Sequence, residues 1–247
     1  MTVDKPWLLI DQGNTAIKWR LAGPAGLGAE GGAVDDAGAL RARISQLDWG
    51  AVGLSSVGSE DKRTALHSML LEISTAPVYT AAAEADCLGL HNSYAEPGRM
   101  GVDRWLAMLA ARSAVEGAFC VIDAGTAVTV DIVNAEGQHE GGVILPGPEL
   151  MRRALMNDTG RIRVDAVVDP TLTLGRSTTD CVNAGVWRAA FAGVQSVLAE
   201  YPTYRALLTG GAAPGLLSLG VAADHRPDLV LEGLRVWLSK ALDDSAP

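Results

Sequence analysis

Three carboxylates in this chain stand where a carboxylate can do chemistry. Asp11 ends the apolar run Leu8-Leu9-Ile10 and opens Asp11-Gln12-Gly13-Asn14-Thr15-Ala16-Ile17-Lys18. Asp123 ends a second apolar run, Cys120-Val121-Ile122, and opens Asp123-Ala124-Gly125-Thr126. Asp103 lies in Gly101-Val102-Asp103-Arg104, just before a stretch rich in alanine and leucine. An apolar run that halts at Asp-x-Gly reads as a buried strand ending in a tight turn. At such an end the carboxylate can hold a hard cation such as Mg²⁺, directly or through water. The glycine lets an anion approach successive backbone N–H groups. Asn14 and Thr15 add side-chain donors, and Lys18 on the returning strand can reach the same anion. Two such turns facing one another would hold the phosphates of a nucleotide and their cations. Asp103 has the chemistry of a general base toward a substrate hydroxyl. Arg104 beside it offers an anionic substrate the bidentate geometry that lysine lacks.

Each feature also has a plainer reading. The first turn would make an ordinary β-hairpin with Lys18 in solvent. Asp123 would serve an Asx turn by accepting from its own downstream amides. Asp103 would be a helix N-cap and Arg104 a surface residue. Thr178 stands at the expected N-cap of a long helix, where it would meet either a substrate anion or the helix's own amides. Gly141-Gly142-Val143-Ile144-Leu145-Pro146-Gly147 and Leu208-Thr209-Gly210-Gly211 are glycine turns at strand ends that would line a sugar or adenosine pocket or pack against helices. The spacing Gly-x4-Gly-Lys-Ser/Thr is missing from the first motif, so it is not a P-loop.

The elements that must position these residues follow from periodicity. Trp7–Asp11 and Ala16–Ala22 form a hairpin, and Gly23–Gly38 is loop with an edge strand. Asp36–Leu47 is a helix with Leu40, Ile44 and Leu47 on one face. Ala51–Ser55 is a buried strand, Glu60–Ile73 an amphipathic helix, and Val78–Thr80 a short strand. Leu90–Arg99 is irregular and Val102–Val115 a strong helix. Phe119–Asp123, Val128–Val133 and Gly141–Leu145 form a meander, followed by a helix from Pro146-Gly147 through Leu155. Arg161–Thr173 has no clear period. Thr178–Ala199 is a long helix, Ala206–Leu208 a strand entering Thr209-Gly210-Gly211, and Leu229–Leu242 a closing helix. Both halves begin with a hairpin and end in helices, so two related domains are expected, residues 1–115 and 116–247.

Composition narrows the class. The 247 residues are 48% hydrophobic with 5% aromatics, so aliphatic side chains and alanine fill the core. A net charge of −9 and the lack of a Lys/Arg cluster argue against a nucleic-acid partner. Any phosphate site must therefore be local. Cys87, Cys120 and Cys181 are scattered without Cys-x-x-Cys spacing and read as reduced core thiols. No apolar run reaches the roughly 18 residues of a membrane span. A soluble, cytoplasmic protein with neither a membrane nor a nucleic-acid partner is expected.

Taken in order, Asp-x-Gly-Asn-Thr…Lys, Gly-x-Asp-Arg, Asp-x-Gly-Thr-Ala, Gly-Gly-x-Ile-x-Pro-Gly and Thr-Gly-Gly resemble the type III pantothenate kinases from end to end. That family falls in the superfamily of actin, hexokinase and Hsp70-type ATPases. The resemblance implies an α/β fold of two related ribonuclease H-like domains, each a mixed sheet flanked by helices, with the active site in the cleft between them. It implies transfer of the ATP γ-phosphoryl group to the primary hydroxyl of pantothenate, the first step toward coenzyme A. It places Asp11, Gln12, Gly13, Asn14, Thr15, Ala16, Ile17 and Lys18 around the ATP phosphates with Mg²⁺, and Thr126 in the nucleotide site. It makes Asp103 the base and puts Gly101, Val102, Asp103 and Arg104 around pantothenate, with Tyr94 and Thr178 nearby. It implies a monovalent cation, K⁺ or NH₄⁺, at Asp123, and a homodimer whose partner helps close the substrate pocket. A related small-molecule kinase, or a nucleotide-binding regulatory protein without turnover, would keep the same scaffold.

Overall fold

The computed structural model describes residues 5–158 and 169–245, in two compact units. The first comprises Met1–Ala114 and Asp228–Pro247, and the second Val115–Pro227.

The first unit is built on a five-stranded mixed sheet. Its strands are β1 (Trp7–Gln12), β2 (Ile17–Gly23), β3 (Gly26–Val34), β4 (Ala51–Ser56) and β5 (Val78–Thr80), in the order β3-β2-β1-β4-β5. β1 runs antiparallel to β2 and parallel to β4. Because β1 is covered on both faces, it reads as an uninterrupted apolar run rather than an alternating one. One face packs Leu8, Ile10, Ile17 and Trp19 against α1 (Ala37–Ile44) and α2 (Glu60–Ile73) through Leu40, Ile44, Leu66 and Leu70. The other face meets α7 (Leu229–Asp244), whose Leu234 and Leu238 lie over Gly53 of β4. Helix α3 (Val102–Ala114) packs along α7 and is buried at every position from Arg104 to Ala111. A short hairpin, β6 (Asp86–Cys87) with β7 (Leu90–His91), and a 3₁₀ turn over Pro97–Arg99 lead into α3.

The second unit repeats this plan. Its strands are β8 (Phe119–Ala124), β9 (Ala127–Val133), β10 (His139–Pro146), β11 (Arg205–Thr209) and β12 (Asp224–His225), in the order β10-β9-β8-β11-β12. Again a hairpin pair opens the sheet, and the fourth strand joins the first in parallel. The strand order and directions match those of the first unit position for position, so Asp11 at the end of β1 and Asp123 near the end of β8 are equivalent places. Helices α4 (Pro148–Asp158), α5 (Thr178–Leu198) and α6 (Ala213–Ser218) complete the unit. Its core gathers Ile122, Val130, Val186, Trp187, Ala190 and Leu208.

The helices and strands expected from periodicity are present within three residues of their ends, close to the usual scatter at element boundaries. Three differences matter. Sequence order puts the closing helix with the second half, whereas α7 packs on the sheet and on α3 of the first unit. The apolar stripe of a helix marks what is buried, not which neighbour buries it. Helix α6 was not expected, because Ala213-Pro214-Gly215 reads as a breaker; Pro214 instead occupies the first turn, where its missing N–H costs nothing. The glycine-rich 26–34 stretch is a full edge strand in which most residues are exposed. Of the stretch without clear period, residues 161–168 lie outside the described residues. Among those described, no helix is long and apolar enough to cross a membrane.

Candidate active site

In the first unit the β1–β2 turn is closed by the Gly13 N–H donating to the Ala16 carbonyl at 3.0 Å. Asn14 and Thr15 are exposed at its tip, while Asp11 and Gln12 are buried at its base. Asp11 and Lys18 are directly paired across β1 and β2, so their side chains leave the same face of the sheet. A carboxylate and an ammonium side by side at a strand end suit a bound polyanion with its divalent cation. The turn does not stand alone, because two hydroxyls at the end of β4 hold its base. Ser55 Oγ donates to Asp11 Oδ1 at 3.0 Å, and Ser56 Oγ donates to Gln12 Oε1 at 2.8 Å. Gln12 Nε2 in turn donates to the Lys62 carbonyl in the first turn of α2 at 3.3 Å. The serines were not singled out from sequence. The signal that would have found them is the parallel register, which sets Asp11 opposite Ser55 and Gln12 opposite Ser56.

Asp103 and Arg104 occupy the first turn of α3. Asp103 is inside the helix rather than its N-cap, and its Oδ1 accepts the Arg104 N–H at 2.8 Å. That carboxylate folds back over Gly101, where any side chain would place its Cβ 2.6 Å from Asp103 Oδ1. Glycine is thus required sterically for Asp103 to keep this position. Arg104 is not a surface residue either: it is only 6% exposed. A buried guanidinium needs partners. Its Nη1 donates to Tyr94 Oη at 2.9 Å, and its Cζ stands 5.8 Å from the Tyr94 ring centroid. Asn92 shapes the loop beneath, accepting the Tyr94 N–H at 3.0 Å while donating to the Glu84 carbonyl at 3.1 Å. The structure therefore groups Tyr94, Gly101, Val102, Asp103 and Arg104 around one helix start.

In the second unit the turn after β8 is one residue tighter, with the Gly125 N–H donating to the Ala127 carbonyl at 2.9 Å. Asp123 is half-buried and stands opposite Thr209 in the parallel register of β8 and β11. Gly210 follows with φ +94°, and a Cβ there would fall 2.5 Å from both Asp123 Oδ1 and the Ala124 carbonyl oxygen. Glycine is thus required at 210 for the turn after β11 to close against a carboxylate oxygen and a carbonyl oxygen. Oxygen donors of this kind fit a hard cation. No group of three or more His, Cys, Asp or Glu forms a metal cluster among the described residues. Thr126 sits in the turn, and its carbonyl accepts the Gly147 N–H at 2.9 Å.

Thr178 is exposed in the first turn of α5 but does not cap it. Ser177 is the N-cap, its Oγ accepting the Asp180 N–H at 3.1 Å. Thr178 lines a cavity of about 1110 Å³ between α4 and α5, whose walls are mainly apolar and include Leu150, Met151, Leu155 and Val182. Cys181 lines the same cavity and is exposed, so it is not the core thiol expected from sequence. Cys87 and Cys120 are buried, and burial pushes their thiols up from the ordinary 9.0 to about 11 and about 12. Since the thiolate is the nucleophile, we expect iodoacetamide at mildly alkaline pH to modify Cys181 alone. Peptide mapping of the native protein would show Cys87 or Cys120 labelled as fast as Cys181 if this were wrong.

Comparison with known proteins covers the same ground. Residues 7–200 match the family described as type III pantothenate kinase. The chain is 42% identical to a type III pantothenate kinase of Marinobacter nauticus over 233 residues, 92% of this chain and 96% of the relative. It is 39% identical to one from an Azoarcus species, over 97% of this chain and 93% of the relative. Among solved structures it is similar to a putative Baf family transcriptional activator of Campylobacter jejuni, with a TM-score of 0.62 at 19% identity, covering 96% of this chain and 99% of that one. It is also similar to the ADPNP-bound activator of 2-hydroxyisocaproyl-CoA dehydratase from Clostridium difficile, with a TM-score of 0.56 at 11% identity, covering 98% of each chain. At such identities these two structures speak for the fold, which is that of the actin, hexokinase and Hsp70-type ATPases.

Proposed function

This chain belongs to the type III pantothenate kinase family, and from that premise we propose how its residues transfer the γ-phosphoryl group of ATP to the primary hydroxyl of pantothenate. The observation that carries the reading is the pairing of Asp103 with Arg104 in one helix turn. Pantothenate is a hydroxy acid, so it needs a proton acceptor at one end and a cationic partner for its carboxylate. Asp103 orients the hydroxyl and takes its proton as the oxygen–phosphorus bond forms and the bond to the bridging oxygen of ADP breaks. Arg104, held by Tyr94, fixes the substrate carboxylate, with Gly101 and Val102 forming the adjoining wall and Thr178 adding a hydroxyl. The turn from Asp11 to Lys18 binds the ATP phosphates, Lys18 by charge and Asn14 and Thr15 by backbone amides and side-chain donors, with Gly13 keeping the turn closed, and Thr126 serves the nucleotide from the second turn. When bound at Asp11, Mg²⁺ neutralises charge on the phosphate oxygens. Phosphoryl transfer asks little more of a protein than such alignment and charge.

We further assign Asp123, beside the Ala124 carbonyl, to a monovalent cation, K⁺ or NH₄⁺. The protein would work in the cytoplasm as a homodimer. A coupled ADP assay tests both the activity and the cation. Pantothenate-dependent ADP release should be faster in potassium than in sodium buffer, and Asp123→Asn should bring the two rates to parity while the protein stays folded. An unchanged ratio in Asp123→Asn would remove the cation from that carboxylate. ATP hydrolysis indifferent to pantothenate would point to another substrate.

A further inference from the structure

The two units use the same place in their sheets differently, and the difference lies in the hydroxyl that faces each strand-end aspartate. Opposite each strand-end aspartate, on the parallel neighbour strand, stands a hydroxyl residue: Ser55 for Asp11 and Thr209 for Asp123. Both are buried, Ser55 completely and Thr209 at 1% exposure. A buried hydroxyl has one proton to give and loses stability if it gives it to nothing. Thr209 Oγ1 gives its proton to the Pro227 carbonyl at 3.3 Å. Ser55 Oγ gives its proton to Asp11 Oδ1 at 3.0 Å. The bond to the carboxylate is thus a feature of the first turn and not a by-product of the shared scaffold.

We propose that Ser55 is a positioning residue for Asp11, fixing the rotation of that carboxylate so that it can receive the cation that accompanies ATP. The inference rests on the assignment of Asp11 to Mg-ATP. A carboxylate with one oxygen engaged by a buried hydroxyl cannot turn freely about its terminal bond. Its other oxygen is then held in one orientation before the nucleotide arrives. Partners of this kind, one bond removed from a metal, typically change metal affinity or activity by roughly 10- to 100-fold when deleted. Ser56 does the equivalent for Gln12, but Gln12 carries no charge and leads toward α2, so its effect should be on the loop and not on the cation.

The test is nucleotide binding by isothermal titration calorimetry, with Mg²⁺ and with EDTA, together with the Mg²⁺ dependence of pantothenate-driven ADP release. Ser55→Ala should weaken Mg-ATP binding by roughly 10- to 100-fold and raise the Mg²⁺ concentration needed for half-maximal rate. Its affinity for metal-free ATP and its KM for pantothenate should stay at the parent values. Ser55→Thr, which keeps the hydroxyl and copies the residue found at the equivalent place in the second unit, should recover most of the loss. Ser55→Cys keeps the volume but donates weakly, so it should behave as the alanine variant and serves if that variant folds poorly. Equal Mg-ATP affinity in parent and variants would overturn the proposal, as would a loss of equal size with Mg²⁺ and with EDTA. If the parent itself binds ATP no better with Mg²⁺ than with EDTA, the assignment of Asp11 fails, and the role of Ser55 falls with it.

Discussion

Replacing Asp103 by Asn is expected to leave a folded protein that binds ATP and turns pantothenate over about 10²–10⁴-fold more slowly. The substitution is nearly isosteric, and the amide oxygen can still accept the Arg104 N–H that Asp103 Oδ1 accepts now. The helix start, and with it Gly101 and the buried Arg104, should therefore survive. What is lost is a group able to take the hydroxyl proton. The fall should appear in kcat and kcat/KM together, because Arg104, Gly101 and Val102 still hold pantothenate and the residues assigned to ATP are untouched. A calorimetric Kd for ATP near the parent value would confirm that the nucleotide site is intact. Near-normal turnover in such a protein would remove Asp103 from the mechanism. The corresponding change at Arg104 should read differently: Arg104→Lys keeps the charge but gives up the fork geometry, so it should raise the KM for pantothenate more than it lowers kcat.

Gly233→Ala should cause the largest loss of stability of any glycine-to-alanine change among the described residues. Gly233 sets α7 directly against α3, and a Cβ there would overlap the Leu106 carbonyl and stand 3.0 Å from the Leu106 Cα. The obstacle is backbone inside a helix that is buried at every position from Arg104 to Ala111, so it cannot swing aside as a side chain would. Overpacking of this kind costs about 3 kcal/mol, the upper end of the usual range. For a chain of this size that is a fall of about 6–12 °C in Tm. Gly185 is the matched control. It lies within helix α5, and a Cβ there meets nothing within 4 Å. Alanine at that position should stabilise by about 0.5–1 kcal/mol through helix propensity. Scanning calorimetry of the two variants should show shifts of opposite sign. A Gly233→Ala protein as stable as the parent would mean that α3 and α7 do not pack through this point. Because α3 carries Asp103 and Arg104, displacing it should also weaken turnover.

Much of the fold was legible because the strands that matter are short, apolar and ended by glycine turns. The Asp-x-Gly echo fixed two equivalent strand ends, and the shared strand order bears it out at the level of topology. What could not be read was anything that depends on a neighbour distant in sequence. Ser55 and Ser56 look like the polar end of a strand until the register sets them against Asp11 and Gln12. Arg104 looks like a surface residue at a helix start until Tyr94 closes over it. The apolar stripe of α7 does not say that it completes the first unit. The N-cap of α5 fell one residue from where it was expected, because Ser177 and Thr178 are both good caps and only the geometry chooses between them. Cys181 misled for a related reason: helical periodicity places it near an apolar face, but that face borders a cavity.

The central claim is that the acid at residue 103 and the arginine after it act on a hydroxy acid, with phosphate supplied by ATP. Mass spectrometry of purified protein incubated with ATP, Mg²⁺, K⁺ and pantothenate tests it directly. Pantothenate should gain one phosphoryl group on its primary hydroxyl, with one ADP formed for each, and the Asp103→Asn protein should accumulate this product far more slowly. Pantothenate recovered unmodified, whether or not ATP is consumed, would contradict the account.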